Sequence, residues 1–319
     1  MFETVRHFLI GDPLPTSAAS HERLNKVQAL AVLSSDALSS VAYATEEILM
    51  VLVAAGTAAV AGGPFVGIAI AALMLIVAGS YYQTIHAYPT GGGSYTVSRE
   101  NLGINASLVA GAALLIDYLL TVAVSISAGI AAITSAFPAL LPYRVVLALV
   151  ALATTTVINL RGLRESGRIF SIPTYFFVVA IFGLILVGAV RVATGSLQIT
   201  PATVTASWET FHSLTLFVIL RAFASGCSAL TGVEAISNGV TVFRKPEAQN
   251  ASKTLLWMAG LLVAMFLGLT FLAHQIGIVP EEGQTVVSLI ARSVFGRTVP
   301  YFLIQAATAL ILILAANTS

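Results

Sequence analysis

The sequence predicts an all-α protein that threads repeatedly through a membrane. Three observations carry that prediction. Hydrophobic residues fill 57% of the 319 positions, and the mean hydropathy is +0.93. Asp, Glu, Lys and Arg together reach only 9%, against about 25% in soluble domains. The apolar residues fall into eight runs, at roughly 27–55, 64–88, 105–137, 143–160, 168–193, 212–242, 252–276 and 299–316. Each run supplies the ~20 residues that a membrane helix needs. Residues 1–26 are polar and lack the apolar core of a cleavable signal. The expected division is therefore a cytoplasmic segment, 1–26, and a transmembrane unit, 27–319.

Basic residues orient the spans. With the amino terminus inside, the inner segments hold ten of them: Arg6, Arg23, Lys26, Arg99, Arg161, Arg164, Arg168, Arg244, Lys245 and Lys253. The outer segments hold four, Arg144, Arg191, Arg292 and Arg297, with Arg221 inside the sixth run. The expectation is a multi-pass protein of the cell membrane with a cytoplasmic amino terminus. The basic residues form no stripe that would grip a nucleic acid. A single cysteine, Cys227, leaves no internal disulfide and no thiolate metal cluster.

The first span contains LSSDALSSVAYATEE, residues 33–47. A charge at mid-bilayer costs roughly 2.5–3.5 kcal/mol on insertion scales, so Asp36 is expected to face a cavity or a partner. Its small and hydroxylated neighbours suit a span that unwinds and offers backbone carbonyls to an ion. The plainer reading is a kinked helix whose serines bond back to the preceding turn.

In the third span Asp117, Thr121 and Ser125 follow at intervals of four, on one helix face, with Tyr118 beside it. Thr121 and Ser125 are candidates to lend hydroxyl oxygens to a cation opposite Asp36. The same stripe also suits hydrogen bonds to a neighbouring helix. The sixth span matches the first: ALTGVEA at 229–235 repeats the Ala, Leu and Val spacing of ALSSVAY at 37–43. Five spans separate the two, as in a five-plus-five inverted repeat whose first helices are interrupted. The first repeat would cover about 27–193 and a partial second about 212–319, so the pattern predicts a fragment of a longer protein. Gly226 and Gly232 supply flexibility for the second break. Thr231 offers another oxygen there. Glu234, on about the same face, is a candidate to take up and release a proton, with Asp117 a second candidate for coupling or gating. Arg221 is a candidate counter-ion.

These stretches resemble the amino acid–polyamine–organocation superfamily, and within it the KUP-type potassium uptake permeases, most closely their KimA-like branch. The likeness rests on RLNKVQALAVLSSDALSSVAYATEEIL (23–49), YPTGGGSYTVSRENLG (88–103), LIDYLLTVAVSISAG (115–129) and LTGVEAISNG (230–239). Asp36 and Tyr43 keep the seven-residue separation of the potassium uptake motif. The resemblance implies a LeuT-like inverted repeat and inward potassium transport by proton symport. The candidate cation site is Asp36, Tyr43, Tyr118, Thr121, Ser125 and Thr231, with potassium supplied by the resemblance and no cofactor expected beyond the transported potassium and protons. The resemblance also implies a homodimer for the full-length protein.

Other classes fit less well. Carboxylate, hydroxyl and carbonyl oxygens suit a hard cation, not a soft transition metal. An amino-acid permease of the same superfamily would use a glycine-rich break that receives a substrate carboxylate, which Asp36 would repel. A receptor or scaffold would not need matched polar breaks. Gly91-Gly92-Gly93-Ser94 lacks the Gly-Lys-Ser/Thr and the strand of a phosphate loop and reads as a tight turn between helices. No nucleophile–base set is visible, so no enzyme is expected.

Overall fold

The computed structural model describes residues 23–160, 167–197 and 215–318. Residues 1–22, with Arg6, and Arg161 and Arg164 lie outside the described residues. The architecture is all-α, and the described residues contain only isolated β-bridges, Leu24 with Phe243 and Glu281 with Gln284.

Span one comes in two pieces, α1 (Lys26–Leu33) and α2 (Ser35–Ala54). Asn25 starts α1 through a capping box with Gln28. The interruption is Ser34 alone. That corrects the expectation of a wide unwound stretch over 33–47. The physical reason lies in the serines. Ser35 donates to the Val32 carbonyl (3.1 Å), Ser39 to that of Asp36 (2.8 Å) and Ser40 to that of Ala37 (2.7 Å). The plainer reading of these hydroxyls is thus the correct one.

α3 (Gly63–Ala87) follows, with proline in its first turn. The glycine turn then bends the chain into α4 (Gly93–Leu102) and the long α5 (Ile104–Ala136). Gly91, Gly92 and Gly93 all have positive φ (82°, 87° and 44°), which explains three glycines in a row. α6 (Arg144–Leu160) and α7 (Gly167–Ala193) complete the first five spans.

The sixth span is less regular than its apolar run predicts. α8 (Leu216–Gly226) ends in a 3-10 turn, Cys227–Leu230, and one helical turn, α9 (Ala235–Asn238), follows. After these come α10 (Glu247–Ile276), α11 (Val286–Phe295) and α12 (Val299–Thr318). Among the described residues seven helices, beginning at α2, are long and apolar enough to cross a membrane. The eighth expected span is the broken α8–α9 segment. The protein is a multi-pass membrane protein.

α2 is the centre of the bundle: 67% of its apolar window is buried, against 6% for the window covering α6. α8, α10 and α12 pack around it. α7 docks on α1, where Thr174 donates to the Ala31 carbonyl (3.1 Å) and Tyr175 to that of Val27 (2.8 Å). At one end of the bundle Leu24 and Val242 pair (2.9 Å), Arg244 returns a bond to Leu24 (3.0 Å), and Arg23 pairs with Glu247. At the other end Arg297 donates to the Ala136 carbonyl (2.8 Å), and Arg191 to that of Val294.

α7 and α10 meet through a reciprocal fit. A Cβ at Gly188 would lie 2.5 Å from Leu272, and one at Gly268 would lie 2.6 Å from Ile185. Each glycine is therefore the socket for a branched side chain of the other helix, the close approach that small residues allow in membranes. Gly268→Leu is expected to cost about 1–3 kcal/mol by overpacking. The detergent-solubilised variant should melt several degrees lower, and Ile185→Ala in the same chain should recover part of the loss.

Candidate functional site

The two interrupted spans cross at their interruptions. Ser34 ends α1 and starts α2, so Asp36 sits in the first turn of α2, where a helix favours negative charge. From the other side the chain turns at Gly232 with φ 77°. A Cβ there would lie 2.5 Å from Asp36 Oδ2 and 2.8 Å from the Ala37 nitrogen. Only glycine permits both the turn and this approach. Ser40 adds a second tie, its one hydroxyl proton shared between the Ala37 carbonyl (2.7 Å) and the Ala229 carbonyl (3.1 Å).

Around this crossing the buried polar atoms divide into those that are used and those that are free. Thr231 donates its hydroxyl proton to the Ser228 carbonyl (2.9 Å). A threonine has one such proton, so in the 3.2 Å contact between Tyr43 and Thr231 the phenol is the donor. The Tyr43 oxygen keeps its lone pairs. Tyr118 accepts from the Asn238 amide (3.0 Å). By contrast Asp36 Oδ1, Glu234 Oε1, and the hydroxyls of Thr121, Ser125, Ser34, Ser228 and Ser237 are buried without a hydrogen-bond partner among the described residues. Asp36 is 6% exposed and Glu234 8%; Ser125 is fully buried.

The charges that act on Asp36 are those of Glu234 and Asp117, both negative. Asp117 is itself half-buried. Arg221, expected as a counter-ion, is exposed on α8 and pairs with no acid among the described residues. The acids do not converge as transition-metal ligands do: no three His, Cys, Asp or Glu side chains among the described residues are so placed. Unpaired buried carboxylates are costly until a cation or a proton neutralises them. Free buried oxygens in a field of three acids are suited to both.

A cavity of about 410 Å³ opens towards the α11 end. Tyr43, Glu46, Glu47, Ser127, Thr285 and Thr308 are among the residues lining it. Glu46 is fastened to the amino terminus of α11, accepting from the Val286 nitrogen (2.9 Å), and Glu47 accepts from Ser225 (3.0 Å).

A sequence profile of the amino acid permease family matches residues 24–319. The chain belongs to that family. The permease is also 51% identical over 318 residues to the potassium transporter KimA of Bacillus subtilis (strain 168). That match covers the whole of this chain and 52% of the relative, so the permease spans about half the relative's length. The family is described as one of amino acid permeases.

The structure brings Asp36, Tyr43, Glu234, Thr121 and Ser125 into the buried interior and leaves Thr231, Asp117 and Tyr118 half-buried. Sequence reasoning missed Asn238, Ser228, Ser237 and Gln305. Asn238 and Glu234 share a helical interval of four, a signal that was available. Gln305 is an amide in the first half of an apolar helix, with both side-chain polar atoms unpartnered among the described residues. Nothing in the spacing marked the two serines.

The crossing depends on Gly232. Gly232→Ala is expected to cost about 1–3 kcal/mol through the positive φ alone, plus the clash with Asp36. Gly260 is a helical control with open space around it, where Ala should be neutral or stabilise by up to about 1 kcal/mol. Thermal midpoints of the two purified variants should move in these different ways.

Proposed function

We propose that this permease carries potassium inward across the cell membrane, coupled to protons, with Asp36 as the anionic centre of the cation site. The observation that carries the reading is the carboxylate oxygen of Asp36, buried and unpartnered at the crossing of spans one and six, beside free hydroxyls and a second acid. Similarity to a potassium transporter supports the choice of cargo.

In this reading Asp36 supplies the charge. Tyr43, Thr121, Ser125 and Thr231 supply neutral oxygens, and Tyr118 borders them. Hard monovalent cations are held by such oxygen sets in place of their water. Glu234 carries the coupling proton, with Asp117 at the gate. A carboxylate removed from water holds a proton more readily, so exposure to one side and then the other changes its proton affinity. The permease then needs no cofactor beyond the two transported ions. The α11 end faces outward and the amino terminus lies in the cytoplasm, following the excess of Lys and Arg at the opposite end. The five-plus-five repeat, with its second half beginning near residue 212, organises the transmembrane unit, and the full-length protein works as a homodimer.

An amino-acid cargo is the competing reading, and the family's own description favours it. The Asp36 carboxylate opposes it, because a substrate carboxylate would meet the same negative field. Uptake of a rubidium tracer by the purified protein in proteoliposomes, compared with a panel of amino acids, separates the two.

Asp36→Asn is expected to abolish rubidium uptake while leaving membrane insertion intact, since losing a charge eases insertion. Normal uptake by a well-expressed variant would remove Asp36 from the centre of the site. Glu234→Gln is expected to uncouple: the cation still moves down its gradient, but an imposed pH gradient at clamped potential no longer accelerates it. A variant that responds as the parent does would make Glu234 structural.

A further inference from the structure

Asn238 lies at the end of α9, four residues beyond Glu234, to whose carbonyl its own nitrogen donates (2.9 Å). Three more contacts converge on it. The Gly92 nitrogen donates to the Asn238 carbonyl (3.2 Å). The Asn238 amide donates to the Tyr118 hydroxyl (3.0 Å). The glycine turn is moulded to the residue: a Cβ at Gly91 would lie 2.7 Å from the Asn238 carbonyl oxygen, and one at Gly93 would strike its Oδ1. No other residue type than glycine leaves room for Asn238 at these two positions.

Beyond this clasp lies a second cavity, of about 290 Å³, between α3 and α4. Five hydroxyl-bearing side chains line it: Ser80, Tyr81, Thr84, Ser94 and Ser98. Ser94 follows directly on the glycine turn. Tyr81 bonds to Ser94 and lies within reach of the charges of Glu234 and Asp117. Tyr118 in turn lies within reach of Glu234, Asp117 and Asp36. Asn238 and the two tyrosines thus link the acids to the hydroxyl-lined cavity. Hydroxyl groups without charge suit the passage of a partly hydrated cation, since they replace water without trapping the ion.

We propose that Asn238 is a positioning residue that latches the α4 end of the cation site, gripped by the glycine turn and gripping Tyr118, and that its release joins the site to the cavity between α3 and α4. The latch rests on the transport reading above. It assigns the glycine turn a task in closure and makes the hydroxyl-lined cavity the cytoplasmic way out.

The test reads access and not cargo. In a Cys227→Ser background, which removes the single cysteine, Ser237→Cys places a reporter thiol at a buried position next to the latch. A membrane-impermeant maleimide is applied to the α4 side of vesicles holding the protein. The parent reporter should label slowly. Asn238→Ala, and the milder Tyr118→Phe, should each label about tenfold faster, the factor that loss of one buried hydrogen bond gives. Labelling from the opposite side should not change. If Tyr118→Phe labels at the parent rate, the latch is overturned, whatever Asn238→Ala does. Failure of the parent to take up rubidium would instead overturn the potassium reading and leave the labelling result standing.

Discussion

The buried carboxylate of Asp36, pressed against the Gly232 turn, is the constraint on which the rest of the structure depends. A charge at that depth is tolerated only where something compensates for the lost water. The protein supplies the amino terminus of α2, the backbone of the span-six turn and a ring of hydroxyls. The first two of these require a broken helix. The helix dipole at Asp36 exists because α1 stops at Leu33, and the close approach exists because the chain turns at Gly232 with a positive φ. The bundle around α2 holds the two breaks together.

The hydroxyls of the crossing have separate duties that composition does not reveal. Ser35, Ser39 and Ser40 are spent on backbone carbonyls, so they hold the helix and not an ion. Thr121 and Ser125 come from a different span, α5, and keep free oxygens. A site whose ligands come from different helices can change its geometry when the helices shift. A site built from one turn of one helix could not.

Much of this was legible in the sequence. Apolar run length located the spans, and the intramembrane acids at 36, 117 and 234 marked the interior, because a charge in a membrane helix always needs a reason. The recurrence of Ala, Leu and Val in spans one and six pointed to the pair that cross. What the sequence hid was the width of each break. A serine-rich stretch is compatible with both an unwound chain and a back-bonded helix, and only tertiary packing chooses. The partnership of Asn238 with the glycine turn was equally hidden. It joins residues almost 150 positions apart, and no local pattern reports on such a contact.

The single-residue break at Ser34 has a mechanical consequence. Two backbone dihedrals at one residue are enough to pivot α1 about the end of α2. α1 is not independent, however. Leu24, just before it, shares backbone hydrogen bonds with Val242 and Arg244, just beyond the inner part of span six. α1 and α9 are thereby yoked, so a swing of one carries the other with it. α2 and α8, on the other side of the two breaks, stay bedded in the bundle. The pairing gives the molecule one compound lever set against a fixed frame.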